Sequence, residues 1–374
     1  MPERILITGG AGFIGSFLAD HLVARGNPVR VLDNLDSQVH PDGWPTWLNT
    51  GVERIRGDVR DKAVVARALD GIDVVVHCAA AVGVAQSLYR VQHYIDTNVG
   101  GTAVVLEAIA ERTTRIRRLV VPTSMTAYGE GVYRRRADGA TVRPAIRSAE
   151  DVERYGWEPV DAETHGALDV LPTAEAAELR ARNVYALSKR YQEELATSLG
   201  AVYGFPVVCL RLFNVYGPRQ ALTNPYTGVL AIFLSRLLEG RRPLVYEDGN
   251  QTRDFVSVHD VVRAMALAID HPSLDSVVAN IGSGLPRRIR DVAGDLAEAV
   301  GRTDLAPEVS GRFRAGDVRH CYADAGRAEK LLGFRPGADW RTSLEEIIAW
   351  SRSAPVGDQF AQAEDELRAR GLVR

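Results

Sequence analysis

Short runs of β-branched residues alternate with longer amphipathic stretches along the first third of the chain. This alternation is typical of a parallel sheet whose strands are joined by crossover helices. It predicts an α/β fold with a doubly wound sheet. The predicted strands are Arg4–Thr8, Val29–Leu32, Val52–Gly57, Val74–Cys78, Leu119–Thr123 and Val207–Leu212. The predicted helices between them are Phe17–Arg25, Ala63–Leu69, Asn98–Arg112 and Tyr185–Leu199.

After Pro218 the periodicity becomes mixed, which favours a smaller second α/β lobe. Its predicted elements are a strand at Leu244–Glu247 and helices at Val229–Leu238, His259–Ile269, Ile289–Val300 and Leu344–Trp350. We therefore expect a first domain at 1–215 with an insertion at about 130–182, and a second lobe at 216–350. Some crossing of the chain between the two is expected, and 351–374 reads as a solvated terminal helix or tail.

A glycine-rich segment, Thr8-Gly9-Gly10-Ala11-Gly12-Phe13-Ile14-Gly15, lies directly between the first predicted strand and its helix. Gly9 permits a tight turn, Gly12 lets a pyrophosphate approach the backbone, and Gly15 lets helix and strand pack closely. Asp33 follows the last glycine by 18 residues and is placed to accept hydrogen bonds from an adenosine ribose. Because its carboxylate would repel a 2′-phosphate, the pattern favours NAD over NADP.

Two further strand ends fall where such a cofactor would pass. Asp58, in Gly57-Asp58-Val59, could bond the adenine amino group. The segment Ala79-Ala80-Ala81 follows the next strand, and its small side chains would let the backbone reach the ribose and diphosphate. Together with the glycine-rich segment, these loops indicate a dinucleotide site.

Tyr185 and Lys189 are separated by four positions at the start of a predicted helix, so they share one face. An ammonium near the phenol would lower its pKa from about 10 toward neutrality and make Tyr185 a general base. Ser124 and Thr126 follow a sheet strand, where α/β active sites lie. Ser124 could hydrogen-bond a substrate oxygen, although both hydroxyls could instead satisfy the backbone of a strand-end turn.

These residues resemble the extended short-chain dehydrogenase/reductase superfamily, specifically its nucleotide-sugar epimerase/dehydratase branch, from Arg4 to about Trp350. The resemblance implies a Rossmann-type domain that holds NAD, a Ser/Thr, Tyr and Lys catalytic set, and a lobe that binds a nucleoside diphosphate sugar. It implies a catalytic set of Ser124, Thr126, Tyr185 and Lys189. Its implied cofactor contacts are Gly9, Gly12, Phe13, Ile14, Gly15, Asp33, Asn34, Asp58, Val59, Ala79, Ala80, Ala81, Asn98, Tyr185, Lys189 and Phe213. Its implied substrate contacts are Ser124, Asn214, Arg253, Arg314 and Asp317.

The role of Asn98 by this resemblance is either structural or a cofactor contact, and Arg253 and Arg314 could also be plain surface charges. The resemblance further implies a homodimer through the helices near Asn98–Arg112 and Tyr185–Leu199.

The reaction expected from the resemblance is reversible inversion at C4 of a UDP- or dTDP-linked sugar, through a 4-keto intermediate. The dehydratases of this branch carry an Asp-Glu pair where this chain has Ser124-Met125. The segment Asn224–Val229 is more similar to enzymes of 6-deoxysugars than to a galactose-pathway enzyme. A dehydrogenase or reductase that releases NADH, a dehydratase-like enzyme and a non-catalytic NAD-binding sensor remain alternatives.

The insertion at 130–182 begins just after Ser124 and ends just before Tyr185, so we expect it to form a lid or pocket wall. Its candidates for sugar or diphosphate contact are Tyr155, Trp157 and the run Arg134 to Arg136. The alternatives are a surface elaboration and, for the arginines, a solvated loop face.

Composition excludes several other classes of protein. With 45 basic and 48 acidic residues the net charge is −3, and 46% of residues are hydrophobic, which argues against disorder and against nucleic-acid binding by bulk charge. The three cysteines, Cys78, Cys209 and Cys321, form no CxxC pair, so reduced thiols and no metal are expected. No apolar run of membrane-spanning length and no leader are visible, which favours a cytoplasmic location.

Overall fold

The computed structural model describes residues 2–112, 115–313, 317–355, 357, 365–366 and 368–370. Its strands are β1 (Ile5–Thr8), β2 (Val29–Asp33), β3 (Glu53–Arg56), β4 (Val74–His77), β5 (Arg118–Ser124), β6 (Val132–Arg135), β7 (Thr141–Val142), β8 (Leu168–Leu171), β9 (Val207–Leu212), β10 (Asn214–Tyr216), β11 (Leu244–Val245), β12 (Thr252–Ser257), β13 (Val277–Ile281), β14 (Pro286–Arg288), β15 (Glu308–Val309) and β16 (His320–Cys321). Its α-helices are α1 (Phe13–Ala24), α2 (Lys62–Ala68), α3 (Val84–Ser87), α4 (Val91–Tyr94), α5 (Gly101–Ala110), α6 (Ala149–Tyr155), α7 (Val184–Tyr203), α8 (Val229–Leu238), α9 (Val258–Asp270), α10 (Ile289–Val300), α11 (Gly326–Leu332) and α12 (Trp340–Ser351).

The largest sheet has seven strands in the order β13-β9-β5-β4-β1-β2-β3, and every neighbouring pair is parallel. The order reverses direction beside β1, so helices cover both faces. The predicted doubly wound α/β fold is confirmed. The carboxyl ends of all seven strands meet at one edge, where ligands bind in such sheets.

Alternate residues of each central strand pack against different helices. On β1, Ile5 and Ile7 belong to the apolar cluster that includes residues of α1 and α9. Leu6, between them, belongs to the cluster that includes residues of α2 and α5. This two-sided burial explains why the strands read as nearly continuous apolar runs.

The second lobe has its own apolar cluster, built mainly from α8, α10 and α12. Its main sheet pairs β12 with β10, β14 and β16. Strand β13 lies in the large sheet and α9, which precedes it, packs with α1 against that sheet, although both follow residue 215. The sequence pattern did not indicate this strand, and the division at residue 215 stays a prediction.

Within 130–182, β6 pairs antiparallel with β7 and β8. Ion pairs join this segment to the second lobe: Arg147 donates to Glu247, and Arg319 donates to Glu247, Asp248 and Glu158. The insertion is therefore fastened to the lobe through its own ion pairs. Over the described ranges, no helix combines the length and apolar character needed to cross a membrane.

The helix expected from Asn98 begins earlier, as a π-helical turn at Ile95–Gly100 that leads into α5. Helix α7 continues four residues beyond the predicted end, to Tyr203, where Gly204 adopts a left-handed conformation and ends it. The expected tail falls largely outside the described residues. Of that tail, Glu366 accepts hydrogen bonds from the hydroxyls of Tyr89 and Tyr226.

Candidate active site

A cleft of about 600 Å³ opens at the carboxyl edge of the large sheet. Its walls are the segments that follow β1, β2, β3, β4, β5 and β9, together with the first turns of α7 and α8. Convergence of so many strand ends follows from the parallel arrangement. Most of the residues predicted for cofactor and catalysis line this one cleft.

The glycine-rich turn brings β1 and α1 so close that larger side chains are excluded. Gly9 has a φ of 65°, and a Cβ there would lie 2.7 Å from the backbone of Ala79. A Cβ on Gly15 would lie 2.5 Å from the carbonyl oxygen of Gly9. Gly12 is the N-cap of α1 and provides no side-chain cap. The amino end of the helix can therefore bind an anion through its backbone N–H groups.

The carboxylate expected to favour NAD over NADP lies at the end of β2. Asp33 is 7% exposed, and its oxygens accept from the backbone N–H groups of Ala11 at 3.0 Å and Leu35 at 2.9 Å. Asn34 donates to Asp58 at 3.1 Å, which joins the loops after β2 and β3. Hydrogen bonds from Arg60 hold the pKa of Asp58 at about 2. Asp33, Asn34, Asp58 and Val59 all line the cleft.

The alanine segment after β4 also lines the cleft, but Asn98 does not. Asn98 is fully buried; its side chain accepts from the N–H of Ala81 at 2.7 Å and donates to the carbonyl of Ala81 and the hydroxyl of Ser188. Of its two expected roles, the geometry fits the structural one, because the side chain fastens the Ala81 loop to α7.

The predicted catalytic residues lie on two walls of the cleft. Ser124 ends β5 and accepts from the Thr126 hydroxyl at 2.9 Å and the Thr126 N–H at 3.2 Å. Tyr185 lies in the first turn of α7, whose N-cap is Asn183. Ser124 and Thr126 therefore make the hydrogen bonds of a strand-end turn, which is the alternative expected for both. Both residues also line the cleft.

The electrostatics of Tyr185 differ from the expectation. Burial raises the pKa of Tyr185, and a hydrogen bond with Ser124 offsets only part of this effect. Lys189 donates from Nζ to the carbonyl of Pro122 at 2.7 Å, and burial lowers its pKa to about 8. The expected lowering of the Tyr185 pKa by the ammonium is therefore not seen: burial and the Ser124 hydrogen bond determine this pKa, and burial is the larger of the two influences.

Several polar atoms on the cleft walls lack a partner among the described residues. They are Thr97 Oγ1, Asn214 Oδ1 and Gln220 Oε1. Buried polar atoms are normally hydrogen-bonded, so unpaired ones on a cleft wall indicate a polar ligand. With the open amino end of α1, they fit a dinucleotide. Phe213 lies between Leu212 and Asn214 on the same wall.

The other expected substrate contacts are placed differently. Arg253 donates to the carbonyls of Thr252, Val318 and Arg319 and does not line the cleft. Asp317 lines a smaller pocket with Glu130 and Arg143. Arg314 lies outside the described residues. In this structure Asn214 and Ser124 are the predicted substrate contacts that reach the cleft.

The aromatic and arginine candidates of the insertion also lie away from the cleft. Arg134 and Arg136 both pair with Asp169, and Tyr155 stacks on His165. Arg135 pairs with Asp138 and Asp161, while Trp157 packs against Phe313. None of the described residues that line the cleft comes from 130–182, so this cleft does not support the wall or lid expectation, which stays a prediction. Other insertion residues, among them Arg143 and Arg180, line the small pocket beside Asp317.

Sequence reasoning missed several residues of the cleft, including Gln38, Gln86 and Asn224. Asn224 belongs to a segment noted only for its likeness to other sequences, and the two glutamines carried no motif signal. Within the described ranges no cluster of His, Cys, Asp and Glu is arranged to hold a metal ion. The acidic residues described on the cleft walls are Asp33, which ends β2, and Asp36 and Asp58, which lie in the loops after β2 and β3.

Comparison with known proteins gives consistent results. The model of the NAD dependent epimerase/dehydratase family matches residues 5–148 and 162–282. The chain is 35% identical to a dTDP-L-rhamnose 4-epimerase of Burkholderia thailandensis, covering 93% of this chain and 94% of that one. It is 31% identical to a UDP-N-acetyl-alpha-D-glucosaminuronate decarboxylase of Bacillus cytotoxicus, covering 94% and 98%. The crystal structure of UDP-glucose 4-epimerase from Thermus thermophilus, a complex with NAD, has a TM-score of 0.72 and 30% identity, covering 94% and 100%.

Proposed function

The chain belongs to the NAD-dependent epimerase/dehydratase family, and we propose that it inverts C4 of a nucleoside diphosphate sugar. NAD is its cofactor. The observation that carries the proposal is the presence of Ser124, Tyr185 and Lys189 on the walls of the same cleft as the glycine-rich turn. A sugar held by its diphosphate near Asn214 would place its ring between these walls.

When bound, NAD supplies a two-electron acceptor for the C4 hydrogen and returns it. Residues of the chain carry out the proton transfer. Tyr185 takes the proton of the 4-hydroxyl, and Ser124 donates a hydrogen bond to the developing oxyanion. Lys189 lies one turn along α7 and lines the same cleft, where its ammonium would stabilise the phenolate form of Tyr185. The 4-keto sugar would then rotate in the cleft so that its other face receives the hydride, and Tyr185 would return the proton to the 4-oxygen.

The sugar end of the cleft distinguishes this proposal from its alternatives. Elimination of water needs an acid and a base beside the sugar, whereas Ser124-Met125 provides no carboxylate there. The described acidic residues of the cleft lie at the far end, near Asp33. An intact Ser124, Tyr185 and Lys189 set speaks against a non-catalytic sensor. The relative from Burkholderia thailandensis supports a dTDP-linked 6-deoxysugar as the first substrate to test.

The test is incubation of the purified protein with UDP-, dTDP-, GDP- and CDP-linked sugars, followed by chromatography and mass measurement. An isomer of unchanged mass supports the proposal. Loss of carbon dioxide would identify a decarboxylase, loss of water a dehydratase, and accumulation of NADH a dehydrogenase. Tyr185→Phe should lower turnover by about a hundredfold or more while NAD stays bound. Tyr322→Phe, at a tyrosine that does not line the cleft, is the matched control and should leave turnover unchanged.

We also propose that two copies of the chain associate through α5 and α7. Helix α7 exposes Tyr191, Val202 and Tyr203, whose side chains are 45%, 74% and 47% exposed. Apolar surface of this kind is typical of an interface when it is contiguous. A mass of about twice 40.8 kDa in solution at micromolar concentration would support the dimer, and a mass of one chain would exclude it.

A further inference from the structure

Three carboxamide side chains form a hydrogen-bonded series on the wall of the cleft, and we name Gln38, Gln86 and Asn224 the amide chain. Gln38 donates from Nε2 to Asn224 Oδ1 at 3.1 Å, and Gln86 donates from Nε2 to Gln38 Oε1 at 3.0 Å. All three line the cleft. They come from three separate segments: the loop after β2, helix α3, and the segment between β10 and α8.

Both ends of the amide chain are held in place. Asn224 Oδ1 also accepts from the N–H of Tyr226 at 3.0 Å, which fixes the orientation of its side chain. At the other end, Gln86 Oε1 accepts from the hydroxyl of Tyr94 at 3.1 Å. Tyr94 is fully buried, and its ring packs edge-on against that of Tyr185 with centroids 6.4 Å apart. The amide chain thus extends from the lobe side of the cleft to the aromatic ring beside the proposed base.

The position of Gln38 gives this series a functional meaning. Gln38 follows Asp33 and Asn34 on one loop, and those two residues are the expected ribose contacts. Asn224 belongs to the segment that leads into α8, which also lines the cleft. Because both segments line the cleft, separation of the loop after β2 from the segment before α8 would widen it. The Gln38–Asn224 hydrogen bond opposes that separation.

We propose that the amide chain retains NAD by holding the loop at residues 34–40 against the segment at residues 220–228. Gln86 supports Gln38 and connects it to Tyr94. Retention itself depends only on NAD binding. Its benefit rests on the proposed function, because an epimerase must keep the reduced cofactor until the keto sugar has turned over.

The test measures the rate at which the NAD-loaded protein exchanges its cofactor with excess labelled NAD, in the absence of sugar. Gln38→Met keeps the length of the side chain and removes both hydrogen bonds, and Asn224→Ala removes the acceptor. Each variant should release NAD about tenfold faster. The double variant should be no faster than the faster single variant, since both lose the same interaction. Gln92→Ala, an exposed amide nearby, is the control and should match the parent.

Thermal unfolding of the NAD-free forms separates retention from general stability. Gln38→Met should unfold within a few degrees of the parent while its NAD exchange is faster. NAD exchange at the parent rate in Gln38→Met would overturn the proposal. A double variant whose increase in exchange rate equals the product of the two single-variant increases would also overturn it. Failure to find epimerase activity would not affect this measurement, because the exchange needs no sugar.

Discussion

Replacing Glu193 by Leu tests whether a buried ion pair holds the catalytic helix on the sheet. Glu193 lies on α7, two turns after Tyr185, and it is 5% exposed. Its carboxylate accepts from Arg211 on β9 at 2.5 and 2.9 Å and from the hydroxyl of Thr123 at 3.1 Å. Thr123 directly precedes Ser124, so one carboxylate joins both catalytic walls of the cleft.

The magnitude follows from what the substitution leaves behind. Arg211 is 6% exposed, and without Glu193 it keeps hydrogen bonds to the Tyr128 hydroxyl at 2.8 Å and the Glu175 carbonyl at 3.1 Å, neither of which carries a compensating charge. Burial is the largest single influence and lowers the pKa of Arg211, but the interactions with Glu193 and Tyr128 together outweigh it and raise the pKa. Breaking one side of such a pair costs about 3–5 kcal/mol of folding free energy. At about 2–4 °C per kcal/mol, the melting temperature should fall by roughly 10 °C.

Glu194→Leu is the matched control on the neighbouring position. Glu194 pairs with Arg190 at 2.7 Å, but its side chain is 48% exposed, so its loss should cost at most about 0.5 kcal/mol. Thermal unfolding of both variants is the assay. Adding Arg211→Met to Glu193→Leu should recover part of the lost stability, because the unpaired charge is removed. Equal melting temperatures for the Glu193 and Glu194 variants would refute the reasoning.

Three further predictions concern the cofactor and the base. Asp33→Ser removes a carboxylate that would repel a 2′-phosphate by at least about 1 kcal/mol. The ratio of NADP to NAD affinity, measured by equilibrium titration, should therefore rise about tenfold or more. Equal binding of both cofactors by the parent protein would contradict this prediction. Gly15→Ala should abolish NAD binding, because the added Cβ would meet the Gly9 backbone. Gly294 has open space around it, so Gly294→Ala is the control and should bind NAD normally. Similar NAD contents in the two variants would show that the turn tolerates a side chain. Burial lowers the pKa of Lys189 to about 8, so its ammonium is present below that pH and lost above it, and turnover should fall as pH rises through about 8. In Lys189→Arg the charge persists, and an unchanged alkaline limb in the pH profile would rule out this lysine as its source.

Local patterns in the sequence were enough to predict that the segments at the ends of β1 to β4 line one cleft. A glycine-rich turn between a strand and a helix has one geometry, and the carboxyl ends of parallel strands meet at one edge. Gly9, Asp33, Asp58 and Ala79 could therefore be assigned from spacing and strand ends. Tyr185 and Lys189 could be paired because positions i and i+4 share a helical face.

Only the tertiary structure decided the contacts between segments far apart in the chain. Asn98 is directed into the interior and Arg253 toward backbone carbonyls, because packing determines side-chain direction where sequence spacing does not. Gln38 and Asn224 meet across 186 positions, which no local pattern predicts. The raised pKa of Tyr185 likewise depends on burial by surrounding elements, and its spacing from Lys189 carries no information about that burial.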